Sequence, residues 1–93
     1  MSNFVLFGKY SADSLKGASA KRTEDAAALI RNLGGEVVSG YALLGETDLL
    51  LVVDLPDTDR AVRASAGLTK LTGIAFRTSP AVSLKDFDRL IAQ

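Results

Sequence analysis

The run Leu49-Leu50-Leu51-Val52-Val53 puts apolar, strand-favouring side chains on both faces of any β-strand it forms. A strand with one wet face alternates apolar and polar residues, and this one does not, so both of its sides must be covered. Its neighbours read the same way. Residues 3–10 set Phe4, Leu6 and Gly8 against Val5, Phe7 and Lys9, and residues 36–44 set Val38 and Ala42 against Val37, Tyr41 and Leu43. Helices packed on one side of such a sheet leave the other side as an apolar patch larger than soluble monomers tolerate. The economical cover is a second copy, because a two-fold axis lets one patch bury itself. The alternative is that a terminal helix folds across the face. The expected partner is therefore the chain itself, as a homodimer or higher homo-oligomer.

The remaining elements follow from periodicity and punctuation. Residues 11–20, rich in Ser, Gly and Ala, read as a loop or a loosely formed turn. A helix begins by Thr23, if not at Ser19, and carries Ala26, Leu29, Ile30 and Leu33 at i, i+3, i+4, i+7 spacing before Gly34-Gly35 ends it. Strands over 36–44 and 47–55 are separated only by Gly45-Glu46, which predicts a tight hairpin with a positive φ at Gly45. Pro56 stops the third strand and Asp57 caps a second helix, with Ala61, Ala64, Leu68 and Leu71 on one side and its end near Gly73. Residues 74–79 form a fourth strand. Ser83, with Asp86 at capping-box spacing, opens a closing helix whose Leu84, Phe87, Leu90 and Ile91 are expected inward. The order is βαββαβ plus a C-terminal helix: an α+β, ferredoxin-like fold in a single domain of 93 residues.

Composition excludes several chemistries. The chain has neither Cys nor His, which removes disulfides, thiolate and imidazole metal ligands, and the commonest neutral-pH acid/base. No metal and no cofactor is expected. Eleven basic and eleven acidic residues cancel, and Lys21-Arg22 is followed by Glu24-Asp25, so no basic face for nucleic acid forms. The apolar run Leu49–Val53 is far below the ~20 residues of a membrane span. The start MSNFVLFGKY alternates at once and lacks the charged region of a signal peptide. With Cys absent, a cytoplasmic location is expected.

Candidate site residues are few. Glu46 and Asp48 lie two apart; if the strand reaches back to Glu46 they share a side and form a carboxylate pair, one acid and one base. The structural reading competes: an Asp at the mouth of a hairpin accepts backbone N–H bonds, and turn chemistry accounts for Gly45-Glu46 without a substrate. Asp48 has the parity of Leu50 and Val52, so Arg22 or Arg77 is the expected counter-charge. Tyr41 lines or fills a cleft between sheet and helices, and Lys9 and Arg77 reach a sheet face, where they bind an anionic ligand or snorkel at its edge.

The segment Gly45-Glu46-Thr47-Asp48, the apolar strand after it and the Pro56-Asp57 turn resemble the GYD domain family, named for a Gly-Tyr-Asp-like signature at this place. Gly45, Glu46, Asp48, Pro56 and Asp57 match, whereas Thr47 replaces the family's aromatic. Arg22 is similar to the arginine opening the family's first helix, Gly34-Gly35 to the glycine pair after it, and Arg77-Thr78 to an Arg-Thr in the last strand. Residues 83–91, with Phe87, resemble the closing helix. The resemblance implies a ferredoxin-like subunit of the dimeric α/β-barrel type and no established reaction. The expected function is a homodimeric module for small-organic-ligand binding or assembly, without catalysis. The alternative is a cofactor-independent isomerase or monooxygenase-like enzyme in the inter-sheet cavity. There Asp48 or Glu46 would carry a proton, with Tyr41 and Arg77 orienting the substrate.

Overall fold

The computed structural model describes residues 1–92 and contains strands β1 (Ser2–Lys9), β2 (Glu36–Ala42), β3 (Leu49–Leu55) and β4 (Ala75–Ala81). The helices are α1 (Ala12–Lys16), α2 (Ala20–Asn32), α3 (Thr58–Thr72) and α4 (Leu84–Ile91). One antiparallel sheet runs in the order β2-β3-β1-β4, with α2 and α3 on one side of it, as the βαββαβ pattern requires. Phe4 and Leu6 of β1 and Val53 and Leu55 of β3 meet Ile30 of α2 and Ala61, Ala64 and Leu68 of α3 in the core. Small residues on α3 let the helices close up: Gly67 lies against Leu29, where an added Cβ would sit 3.2 Å from Leu29 Cδ1.

Local signals set the helix ends. Ser19, Asp57 and Ser83 are N-caps, each accepting the N–H three residues on, from Arg22, Arg60 and Asp86. The two glycines after α2 serve different needs. Gly34 takes φ 85°, in the left-handed region. At Gly35 a Cβ would stand 2.0 Å from the Asp54 carbonyl oxygen, so the backbone passes too close for any side chain.

Four expectations need correction. Residues 11–20 are not all loop: Ser11 and Ser14 form a reciprocal capping box that starts α1. The β2–β3 connection is not a two-residue hairpin but spans residues 43–48. Asp48 N–H donates to the Gly8 carbonyl and its own carbonyl accepts the Leu43 N–H, which ties residue 48 to both neighbouring strands just before β3, and Gly45 does take a positive φ of 128°. In β2, Val37 pairs with Val53 but Ser39 pairs with Val52, so Val38 is an extra residue in a bulge. The bulge reverses parity, placing Val37 on the helix side and Tyr41, opposite Leu50, on the open side.

The fourth correction concerns α4. Leu84, Phe87, Leu90 and Ile91 are not inward but 79, 46, 59 and 63% exposed. The helix packs extensively on no other element and does not fold over the open sheet face. Only Val82 and Ser83 separate it from β4, and among the described residues its apolar stripe packs extensively on no other element.

Candidate functional site

The open face of the sheet is built in rows by the strand register. Tyr41, Leu50, Phe7 and Arg77 form one row; Ser39, Val52, Val5 and Ser79 the next; Glu36, Asp54, Asn3 and Ala81 the third. The two central strands thus contribute an apolar centre of half-buried Val5, Phe7, Leu50 and Val52, and the outer positions are mostly polar. Arg77 lies over the Phe7 ring, its Cζ 5.5 Å from the centroid.

At one end of this face Lys9, Glu46, Thr47 and Arg77 line a shallow depression of 350 Å³ with Phe7 and Phe76. Asp48 sits beside them but is engaged by β1. Its Oδ2 accepts the Tyr10 backbone N–H at 2.9 Å and lies 3.6 Å from Lys9 Nζ. The counter-charge is therefore Lys9, neither Arg22 nor Arg77. Glu46 stands in the exposed bend before β3, so the two carboxylates do not project from one strand as a pair.

On the helix side a pocket of 160 Å³ lies between the sheet, α2 and α3, with Ala18 and Ser19 of the α1–α2 connection at its margin. Its walls are mainly apolar, from Ile30, Leu51, Leu68, Ile74 and Phe76 among others, with Tyr10, Arg22, Thr23 and Thr72 as polar members. Most of the wall's polar groups are already committed. Ser19 Oγ caps α2, Thr23 Oγ1 donates to the Ser19 carbonyl, and Thr72 Oγ1 donates to the Leu68 carbonyl while accepting from Ile74 N–H. Arg22 Nη1 donates to the Ser14 carbonyl, and the guanidinium crosses Gly17, where a Cβ would come within 2.9 Å of Nη1. Among the described residues this is the one hydrogen bond of the Arg22 side chain, and the Tyr10 hydroxyl has none.

Residues 4–91 match the GYD domain model. The chain belongs to the GYD domain family. No curated protein matches it. Among solved structures it is similar to a leucine response regulatory protein of Mycobacterium tuberculosis, with 13% identity and a TM-score of 0.58 over 88% of this chain and 51% of that one. It is also similar to an unknown protein from Galdieria sulphuraria, with 21% identity and a TM-score of 0.56 over 88% of this chain and 46% of that one. At these identities the likeness is one of fold, and this GYD domain spans about half the length of each.

The GYD signature residues Gly45, Glu46 and Asp48 fall in the β2–β3 connection, with Thr47 half-buried in the aromatic's place. Of the residues nominated from sequence, Arg22 alone lines the helix-side pocket; Lys9, Glu46 and Arg77 gather at the sheet end, and Tyr41 stands 55% exposed on the open face. Tyr10, Thr23 and Thr72 were not nominated. The signal for Tyr10 was present, since it continues the parity of Phe4, Leu6 and Gly8 toward the helices. Among the described residues of this GYD domain, no three acidic groups are placed to hold a metal ion, and no helix is long and apolar enough to cross a membrane.

Proposed function

We propose that this GYD domain is a homodimeric module whose two sheets pack face to face and whose subunits each hold a small organic molecule. The observation that carries the assembly is the open sheet face. Its apolar centre and polar edge have the anatomy of a protein–protein interface. The accessible surface supports the same reading. At 6219 Å² it exceeds by about 1,000 Å² the value expected of a compact 9.8 kDa monomer, near the ~800 Å² each partner contributes to a standard interface. The unpartnered stripe of α4 adds further apolar surface for contacts between copies. A binding role rather than proton transfer at Asp48 is favoured by the attachment of its Oδ2 to the β1 backbone.

Mass in solution, measured by light scattering across a dilution series, tests the assembly. A dimer or a multiple of it is expected. A monomer that persists at the highest concentration overturns the sheet-to-sheet reading.

A further inference from the structure

We infer that the pocket between the sheet and α2 binds a small monocarboxylic acid with an apolar body the size of a single ring. The inference rests on the ligand-binding half of the proposed function and gives it a place and a chemistry. Size comes first. An apolar cavity near 150 Å³ admits a guest of about benzene's dimensions, and this pocket measures 160 Å³. Its floor of Ile30, Leu51, Leu68 and Phe76 offers such a body dispersion contacts and no polar partner.

The head group follows from which polar atoms are free. Thr23 and Thr72 donate their hydroxyls to backbone carbonyls and so contribute little to orientation, whereas Ser19 Oγ accepts the Arg22 N–H and keeps its own proton. Arg22 is the one charged residue lining the pocket and directs one N–H of its five to Ser14. The Tyr10 and Ser19 hydroxyls are the other uncommitted donors on the wall. A cationic donor with hydroxyl donors beside it fits a carboxylate; an Arg–carboxylate contact is charge-assisted and directional. No Asp or Glu lines the pocket, so an ammonium group entering with the ligand would lose its water without gaining a counter-charge. The site therefore selects simple acids over amino acids and amines.

The test uses the intact chain with benzoate as probe and benzylamine and toluene as comparators, read by titration calorimetry and by thermal midpoint. Benzoate is expected to bind saturably and raise the midpoint, and benzylamine to do neither. R22Q should weaken benzoate about tenfold or more while toluene binding persists, showing that the pocket is intact; R22K should recover part of the loss. A27L, which fills the pocket from α2, should abolish binding of benzoate and toluene together. Equal binding of benzoate and benzylamine, no binding of benzoate, or unchanged benzoate affinity in R22Q would overturn the inference. The pocket lies within one chain, so the outcomes separate. A dimer that ignores benzoate sinks this inference alone, and a monomer that binds it sinks the assembly alone.

Discussion

Asp48 and Asp57 bracket the strand that dominates this sequence, and their environments differ. Asp48 is shielded and ties the β2–β3 connection to the β1 backbone. Asp57 is solvent-exposed, and its carboxyl is held below the ordinary 3.8 chiefly by the Arg60 backbone N–H it accepts at the start of α3, with the Arg60 guanidinium helping. A depressed folded-state pKa contributes stability that is complete above the unfolded value and is lost as pH falls through the folded one. Wild type should therefore lose part of its advantage over Asp57→Asn, which keeps a capping oxygen but no titrating charge, only as the pH falls below about 3.8. Urea midpoints of the two proteins at pH 7, 4 and 2.5 check this; a difference that stays constant over that range contradicts it. Residue-level signals of this kind were legible in the sequence because capping is local. A cap needs a side-chain oxygen and an N–H three positions away, and both are written in the chain. What pairs with Asp48 was not legible, since Lys9 and the Tyr10 N–H reach it only through the β1–β3 register.

Elements were readable to the degree that one period governed them. The strand and helix order and the stripe of α2 follow from runs of strand-favouring residues and from 3.6-residue spacing, and the cap of α3 from Asp57 after Pro56. The β2 bulge left no such mark. A single unpaired Val38 is chemically an ordinary strand residue, yet it moved Tyr41 to the opposite face and took the sequence's chosen ligand-lining phenol out of the pocket. The short α1 was hidden by its Ser and Ala content, which suits a loop as well as a capped turn. The sequence of α4 carries an apolar stripe, but it does not say which surface that stripe meets. Ending the chain after Ser83 tests the consequence. Because α4 packs extensively on no other element, its removal should leave the body's thermal stability within about 0.5 kcal/mol at high dilution. It should also shift dissociation of the assembly to higher protein concentration. A loss of several kcal/mol in the dilute protein would show that α4 supports the body of its own chain.

At the scale of the whole molecule, the sheet has one covered face and one apolar face without cover in its own chain, and the long dimension of the subunit reaches 48 Å against 30 and 19 Å for the others. Its radius of gyration of 13.8 Å exceeds the ~12.3 Å expected for a compact chain of this length. Both values reflect α4 standing off the body of the subunit. The open face offers a sharp test because its centre is small. Leu50 and Val52 are adjacent to Phe7 and Val5 across the β1–β3 ladder, so a charge at either position would be buried in the middle of a sheet-to-sheet contact. In the single subunit the same charge points to water. Leu50→Lys or Val52→Glu should therefore leave the fold in place by circular dichroism. The dimer dissociation constant should rise about a hundredfold or more, since an unpaired buried charge costs at least about 3 kcal/mol. The control is Val62→Lys on the exposed surface of α3, 63% accessible on the helical side, where the same change in charge should leave the assembly mass as it was. If Leu50→Lys behaves like that control, the sheets do not meet, and the apolar stripe of α4 becomes the surface through which copies of this chain would have to associate.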